Sequence, residues 1–150
     1  MDNHSAPLRS WLSILYRYGR SHISKVLEPY NIGSGQYIFL MVLLKNNGIS
    51  QEEMSDYLKI DKATTAKAVR KLEQAGYVVR DVNSDDKRAY QVFLTERAEA
   101  IIPVIQEAIK SWEEMITADL TAEERQLMER LLARMARRAY QGRAKAEEAP

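Results

Sequence analysis

The sequence predicts a mainly α-helical fold that contains one small β-hairpin. Apolar residues recur at spacings of three and four along most of the 150 residues, which is the pattern of one helix face. This period gives way to runs rich in β-branched and aromatic residues at 77–80 and 90–94, and such runs favour strands. We find no internal repeat and no low-complexity linker, so the length fits one compact unit.

The composition excludes several classes of protein. The chain has no Cys, which rules out disulfides, thiolate metal sites and cysteine nucleophiles and agrees with a reducing compartment. Arg9, Arg17 and Arg20 interrupt the apolar pattern of the first thirty residues, which therefore predict neither a signal peptide nor a membrane span. We expect a cytoplasmic protein that does not associate with membranes.

The first two helices follow from their apolar stripes and their stop signals. The first covers residues 8–28 and is stopped by Pro29. A turn over residues 31–35 separates it from the second helix, which continues to the Asn-Asn-Gly sequence at 46–48.

Two short helices come next, and each has its own start signal. Ser50 and Glu53 have the spacing of a capping box, which predicts a helix from residue 51 to near residue 59. Asp61 is an N-cap for a second helix that closes at Gly76. Two short helices joined by about three residues are typical of a helix-turn-helix.

The two predicted strands follow directly, and the polar residues 81–89 between them predict a hairpin loop. A hairpin in this place is a wing, so the full prediction is a winged helix-turn-helix. Thr95 can cap a long helix over 96–116, and Thr121 can open a last helix that runs to about residue 142. We expect residues 143–150 to form a charged, flexible tail.

The sequence gives no sign of catalysis or of a bound cofactor. No nucleophile with a base, no carboxylate pair suited to a cleft and no phosphate-binding glycine loop is apparent. His4 and His22 are too few and too far apart for a metal site, and we expect His22 to be a packed or interfacial residue. The chain is therefore not expected to be an enzyme or to bind a metal.

The distribution of charge suggests where a nucleic acid would bind. The net charge is +1, but residues 59–97 carry nine Lys or Arg against six Asp or Glu, whereas residues 98–150 carry eight against ten. The bias is mild, and an ordinary solvated surface could also produce it.

The helix after Asp61 separates into two faces. One face should pack inward. The neighbouring face carries a hydroxyl and two long cations, which suit contacts to base edges and phosphates in a major groove. A solvated amphipathic helix remains the alternative. The inward set is Thr65, Val69 and Leu72, and the exposed set is Thr64, Lys67 and Lys71.

The wing tip adds a second basic element. Lys87 and Arg88 lie at the predicted apex, from which they could reach phosphates and the adjacent minor groove. Asp86 is placed to orient the arginine. Charged hairpin tips are common on soluble proteins, so this signal also has a purely structural alternative.

Six segments between about residues 30 and 97 form a recognisable set. They are Gly35-Gln36, Gly48-Ile49-Ser50-Gln51-Glu52-Glu53, Ile60-Asp61-Lys62-Ala63-Thr64-Thr65-Ala66-Lys67, Leu72-Glu73-Gln74-Ala75-Gly76-Tyr77, Asp86-Lys87-Arg88 and Val92-Phe93-Leu94-Thr95. The last two segments give a wing pattern of Asp, any residue, Arg, and then Leu-Thr entering the next helix. Together these segments resemble the MarR family of bacterial regulators.

The resemblance implies a DNA-binding transcriptional regulator, with repression as the expected direction of control. It implies a homodimer on a pseudo-palindromic operator, with dimerisation helices in 1–30 and 96–142 and a DNA-binding lobe in 31–95. The alternative is a winged-helix protein-interaction module. The expected DNA-binding residues are Ser50, Gln51, Lys62, Thr64, Ala66, Lys67, Lys71, Arg80, Lys87 and Arg88.

The resemblance also implies a small aromatic or phenolic effector, bound between the dimerisation helices and the lobe. Tyr16 and Tyr37 could supply aromatic walls, and Arg17 and Arg20 a cation for a carboxylate. Ordinary junction packing of the tyrosines and solvated arginines is the alternative.

Overall fold

The computed structural model describes residues 7–82 and 90–147, with side chains described as far as residue 142. The predicted fold class is confirmed, because the described residues form six α-helices and one antiparallel hairpin in the predicted order. The elements are α1 (Leu8–Leu27), a 3₁₀ turn (Glu28–Tyr30), α2 (Tyr37–Lys45), α3 (Gln51–Leu58), α4 (Lys62–Gln74), β1 (Val78–Val82), β2 (Tyr90–Leu94), α5 (Glu96–Ile116) and α6 (Ala122–Glu147).

The predicted helix starts are confirmed by their hydrogen bonds. At α3, the backbone N–H of Glu53 donates to Ser50 Oγ at 3.1 Å, and the backbone N–H of Ser50 donates to Glu53 Oε2 at 2.7 Å. The same reciprocal pair joins Thr121 and Glu124 at α6. These bonds satisfy N–H groups that have no partner inside a helix, which is why such short signals fix the starts.

The predicted ends are less accurate than the starts. α1 ends at Leu27, and Pro29 lies in the 3₁₀ turn that follows. α6 extends to Glu147, whereas we expected its end near residue 142, because Arg, Ala, Lys and Glu continue to favour a helix there. Residues 148–150 of the expected tail lie outside the described residues.

The chain divides into two compact units, residues 1–112 and residues 113–150. In the first unit, one apolar core joins the hairpin and α2–α4 to parts of α1 and α5. In the second, Thr117 accepts a hydrogen bond from Arg125 Nη2 at its backbone oxygen, at 2.8 Å. The core residues that come from α1 and α5 are Ile23, Leu27, Ala98, Ile101 and Ile105.

α1 and α5 meet around a small group of side chains within the first unit. His22 Nε2 lies 2.9 Å from Ser111 Oγ, and its ring centroid lies 5.8 Å from that of Trp112. A Cβ atom built on Gly19 would lie 3.1 Å from the indole of Trp112, so the indole packs directly on the helix backbone. Of the two expected roles of His22, the contacts within this chain are those of a packed residue.

The segment before α3 pairs with strand β2 of the hairpin. Gly48 N–H donates to the carbonyl of Val92 at 2.9 Å, and Val92 N–H donates to the carbonyl of Ile49 at 3.0 Å. An isolated bridge pairs Ser50 with Gln91. Gly48 has φ +87°, which favours glycine, and a Cβ atom there would lie 2.7 Å from the ring of Phe93. The wing is therefore tied to the start of the helix-turn-helix.

Across residues 7–82 and 90–147 no helix is both long and apolar enough to cross a membrane. The same residues contain no cluster of His, Asp or Glu side chains that could hold a metal ion.

Candidate nucleic-acid interface

α4 has the two faces that its sequence predicts. Its buried side chains are Thr65, Ala68, Val69 and Leu72, which pack into the core of the lobe. Lys67 and Lys71 are exposed on the opposite side. The helix is therefore held by one face and presents the other to solvent.

The start of α4 is organised by Asp61. Its carboxylate accepts the backbone N–H of Thr64 at 2.8 Å and the hydroxyl of Thr64 at 2.7 Å. Both hydrogen bonds lower the pKa of Asp61 below its ordinary value, and the one from the backbone N–H has the larger effect. Because the Thr64 hydroxyl donates its hydrogen to Asp61, its oxygen is left as an acceptor for a base donor.

Lys62, at the first position of α4, forms an ion pair with Glu52 of α3. Both side chains are strongly exposed, and the hydrogen bond that Lys62 donates to Glu52 raises the pKa of Lys62. An exposed pair of this kind exchanges easily with solvent. The ammonium group of Lys62 has three donors, so those that Glu52 does not use can still meet another acceptor.

Lys67, Arg70 and Lys71 form a cluster of exposed cations over little more than one turn of α4. Within the described part of the chain, none of the three forms an ion pair with a carboxylate. Arg70 was missed by the sequence analysis, although its spacing of three from Lys67 places it on the same face. Ala66, the residue before Lys67, is half-buried and offers only a methyl group.

The other predicted DNA-binding residues lie on different elements. Ser50 caps α3, and Gln51 follows it with Oε1 buried and without a hydrogen-bond partner among the described residues. Arg80 lies in β1, where Nε and Nη2 both donate to Glu73 Oε2, at 3.0 and 2.7 Å. Asp86, Lys87 and Arg88 lie outside the described residues.

Two of the predicted effector residues come together. Arg20 Nη1 donates to the hydroxyl of Tyr16 at 3.4 Å, while Nε and Nη2 donate to Ser34 Oγ at 3.0 and 2.8 Å. Arg17 is exposed, and Tyr37 packs against the core. Ser34 was not predicted, because the turn that brings it to α1 is not encoded in the spacing of either segment.

A cleft of about 430 Å³ lies along the C-terminal half of α1. None of the four predicted effector residues lines it. Its lining residues are Ser21, Ser24, Lys25, Glu28, Asn31, Ile32 and Gly33.

Comparison with known proteins agrees with this geometry. A sequence profile described as the MarR family matches residues 30–89. The HTH-type transcriptional regulator BilQ of Clostridioides difficile is 30% identical over 100 residues, which cover 67% of this chain and 68% of BilQ. A MarR transcriptional regulator from Methanosarcina mazei, whose crystal structure is known, is 42% identical to this chain in sequence. The two structures match with a TM-score of 0.82 over 89% of this chain and 96% of that protein.

A third structure supports the fold alone. It is a Listeria monocytogenes regulator of the MarR family in complex with a 26mer DNA, 22% identical with a TM-score of 0.87, and the match covers 96% of each chain. The winged helix-turn-helix, the two-faced α4 and these relatives lead to one conclusion: the chain belongs to the MarR family of transcriptional regulators.

Proposed function

We propose that the protein binds double-stranded DNA with α4 in the major groove and the wing at the adjacent minor groove. The observation that carries the proposal is the cation cluster Lys67, Arg70 and Lys71 on the free face of a helix whose other face is buried. The Listeria protein of the same fold has been crystallised with DNA. As a member of a family of transcriptional regulators, the chain is not an enzyme.

The residues of α4 would divide between reading bases and holding phosphates. The oxygen of Thr64 can accept from the amino group of adenine or cytosine, and the methyl group of Ala66 can contact a thymine methyl. Lys67 can reach a base edge or a phosphate. The remaining proposed contacts are to phosphate or to the minor groove, from Ser50, Gln51, Lys62, Arg70, Lys71, Lys87 and Arg88.

We propose a homodimer because apolar side chains remain exposed on long helices. On α1 a single stripe is buried at Gly19, Ile23 and Leu27 but exposed in the first two turns, where Leu12 is 41% accessible. α6 considered alone also exposes Leu127, Leu131 and Met135. Exposed apolar stripes of this length are typical of a protein interface. Residues 1–30 and 96–142 are the proposed dimerisation helices, and 31–95 the DNA-binding lobe.

A twofold dimer would present two α4 helices to the two halves of a pseudo-palindromic operator. Bound across a promoter, it would exclude the polymerase, so we propose repression. The protein would act in the cytoplasm, where chromosomal DNA is available to it.

DNA binding can be tested by selecting bound genomic fragments and measuring affinity for them at several salt concentrations. Lys67→Ala should weaken binding and, if Lys67 meets only phosphate, reduce the salt slope by about one. Lys45→Ala is the matched control, since it removes an exposed lysine at the end of α2. Failure of the wild-type protein to bind any fragment would favour the protein-interaction alternative.

The homodimer can be tested by sedimentation. Leu12→Glu places a charge in the exposed part of the α1 stripe and should yield monomers. Ser13→Glu adds the same charge to the neighbouring exposed position outside the stripe and should leave the dimer intact. Equal masses for both variants and the wild type would contradict the α1 interface.

We propose that a small aromatic or phenolic acid is the effector. Arg20 supports this proposal because its donors meet the neutral oxygens of Ser34 and Tyr16, and no described carboxylate pairs with it. Titration of salicylate into the protein–DNA complex should release DNA. The factor by which DNA affinity falls cannot exceed the ratio of the salicylate affinities of the DNA-free and DNA-bound protein. Release that is lost in Arg17→Ala or Arg20→Ala supports the site, and release unaffected by both places the effector elsewhere.

A further inference from the structure

The hairpin extends beyond the core that supports its base. Val78 and Val92 are almost completely buried, whereas Val82 and Tyr90, at the far end of the same strands, are 48% and 46% exposed. The proposed DNA contacts of the wing lie beyond this point along the chain. The orientation of the two strand ends at Val82 and Tyr90 relative to α4 therefore depends on what fixes the outer half of the hairpin.

Arg80 connects that outer half to α4. It pairs with Val92 in the hairpin, and its guanidinium donates two hydrogen bonds to one carboxylate oxygen of Glu73, in the last turns of α4. The guanidinium carbon also lies 5.4 Å from the centre of the Tyr90 ring. A single side chain of β1 thus contacts both α4 and β2.

The environment of Arg80 makes this a stronger contact than an ordinary surface pair. The side chains of Arg80 and Glu73 are 30% and 33% exposed, compared with 74% and 66% for the pair of Lys62 and Glu52. Two hydrogen bonds to Glu73 and the neighbouring Tyr90 ring hold the planar guanidinium in a way that a lysine could not reproduce. The hydrogen bond to Glu73 raises the pKa of Arg80.

We propose that Arg80 is a positioning residue that locks the wing to the recognition helix, and is not itself a phosphate ligand. Held by Glu73 and Tyr90, the hairpin and α4 meet DNA as one preformed surface, so that binding does not have to order the wing. This revises the role that the sequence predicted for Arg80. The inference rests on the proposed DNA binding.

Glu73 provides the sharpest test, because the two roles of Arg80 predict opposite signs. By charge alone, removing a carboxylate beside a DNA-binding surface should tighten binding, and it should also free Arg80 to meet a phosphate. If Glu73 holds the wing, Glu73→Gln should instead weaken binding about tenfold, as expected when the wing adopts its binding orientation a tenth of the time. Asp56→Asn is the matched control, since it removes an exposed carboxylate on α3 and should leave affinity unchanged or raised.

Double-variant cycles separate positioning from a general loss of stability. The effect of Arg88→Ala should shrink in the Glu73→Gln background, because a released wing contributes less. The effect of Lys67→Ala should be the same in both backgrounds. Tyr90→Leu, which alters no charge, should weaken DNA binding as Glu73→Gln does. Urea unfolding of each variant confirms that the protein measured is folded.

The outcomes are distinct. Absence of DNA binding by the wild-type protein overturns the proposed function itself. Wild-type binding together with equal or tighter binding by Glu73→Gln overturns the positioning role, as does near wild-type affinity of Arg80→Lys. Weaker binding by Glu73→Gln, with the effect of Arg88→Ala reduced and that of Lys67→Ala unchanged, supports it.

Discussion

Gly48→Ala should destabilise the protein through two separate effects at one Cβ atom. Gly48 has φ +87°, where an L side chain is strained, and the new Cβ would lie 2.7 Å from Phe93 Cε1. The backbone cannot rotate away freely, because Gly48 N–H donates to Val92 at 2.9 Å and this bond is part of the edge that ties the wing to α3.

The magnitude follows from these two effects. A non-glycine residue in the left-handed region costs about 1 kcal/mol, and overpacking by one methyl group costs about 1–3 kcal/mol. Phe93 is only half-buried, so its ring can move to reduce the overlap. We therefore expect the free energy of unfolding to fall by about 2–3 kcal/mol.

Urea unfolding at a fixed protein concentration measures this change directly. Gly35→Ala is the matched control, because no atom lies within 4 Å of the position that its new Cβ would occupy, and it should be neutral or slightly stabilising. In a Phe93→Leu background, Gly48→Ala should lose the overlap and retain only about 1 kcal/mol of backbone strain. If Gly48→Ala proves as stable as Gly35→Ala, the reasoning is refuted.

Three further predictions concern stability. Thr65→Val should keep or raise the melting temperature, because the Thr65 hydroxyl is buried and has no partner among the described residues; a clear fall would contradict this. Tyr77→Phe should lower the free energy of unfolding by about 1–2 kcal/mol, since it removes the 2.6 Å hydrogen bond to the carbonyl of Tyr30, and an unchanged value would count against that bond. The hydrogen bond from Ser50 N–H lowers the pKa of Glu53, so Glu53 stabilises the fold above its ordinary pKa of 4.5 and this contribution is lost as the pH falls through its lower folded value. The melting temperature of Glu53→Gln should therefore fall less than that of the wild type between neutral and acidic pH. An identical fall in both proteins would contradict this role of Glu53.

The sequence predicts best those features that arise within a few residues. The capping boxes, the inward face of α4 and the order of the elements are all local, so spacing and side-chain type are sufficient to find them. Arg70 lies within the same reach, three residues after Lys67 on the same face of α4.

The features that were not predicted join distant segments. Gly48 pairs with a strand more than forty residues away, and Arg20 meets Ser34 across a turn. Whether a charged residue faces DNA or a carboxylate depends equally on tertiary structure, as Arg80 and Glu73 illustrate. Spacing within one helix or strand contains no information about such partners.

The shared core of the first unit sets a practical limit on transplanting the proposed DNA-binding lobe of this protein. The core includes Ile23 and Leu27 from before the lobe and Ile101 and Ile105 from after it, and Tyr77 is anchored to the carbonyl of Tyr30. A graft cut at residues 31 and 95 would expose the side chains that these residues cover. A chimera that transfers the proposed lobe should therefore carry the last two turns of α1 and the first three turns of α5 together with residues 31–95.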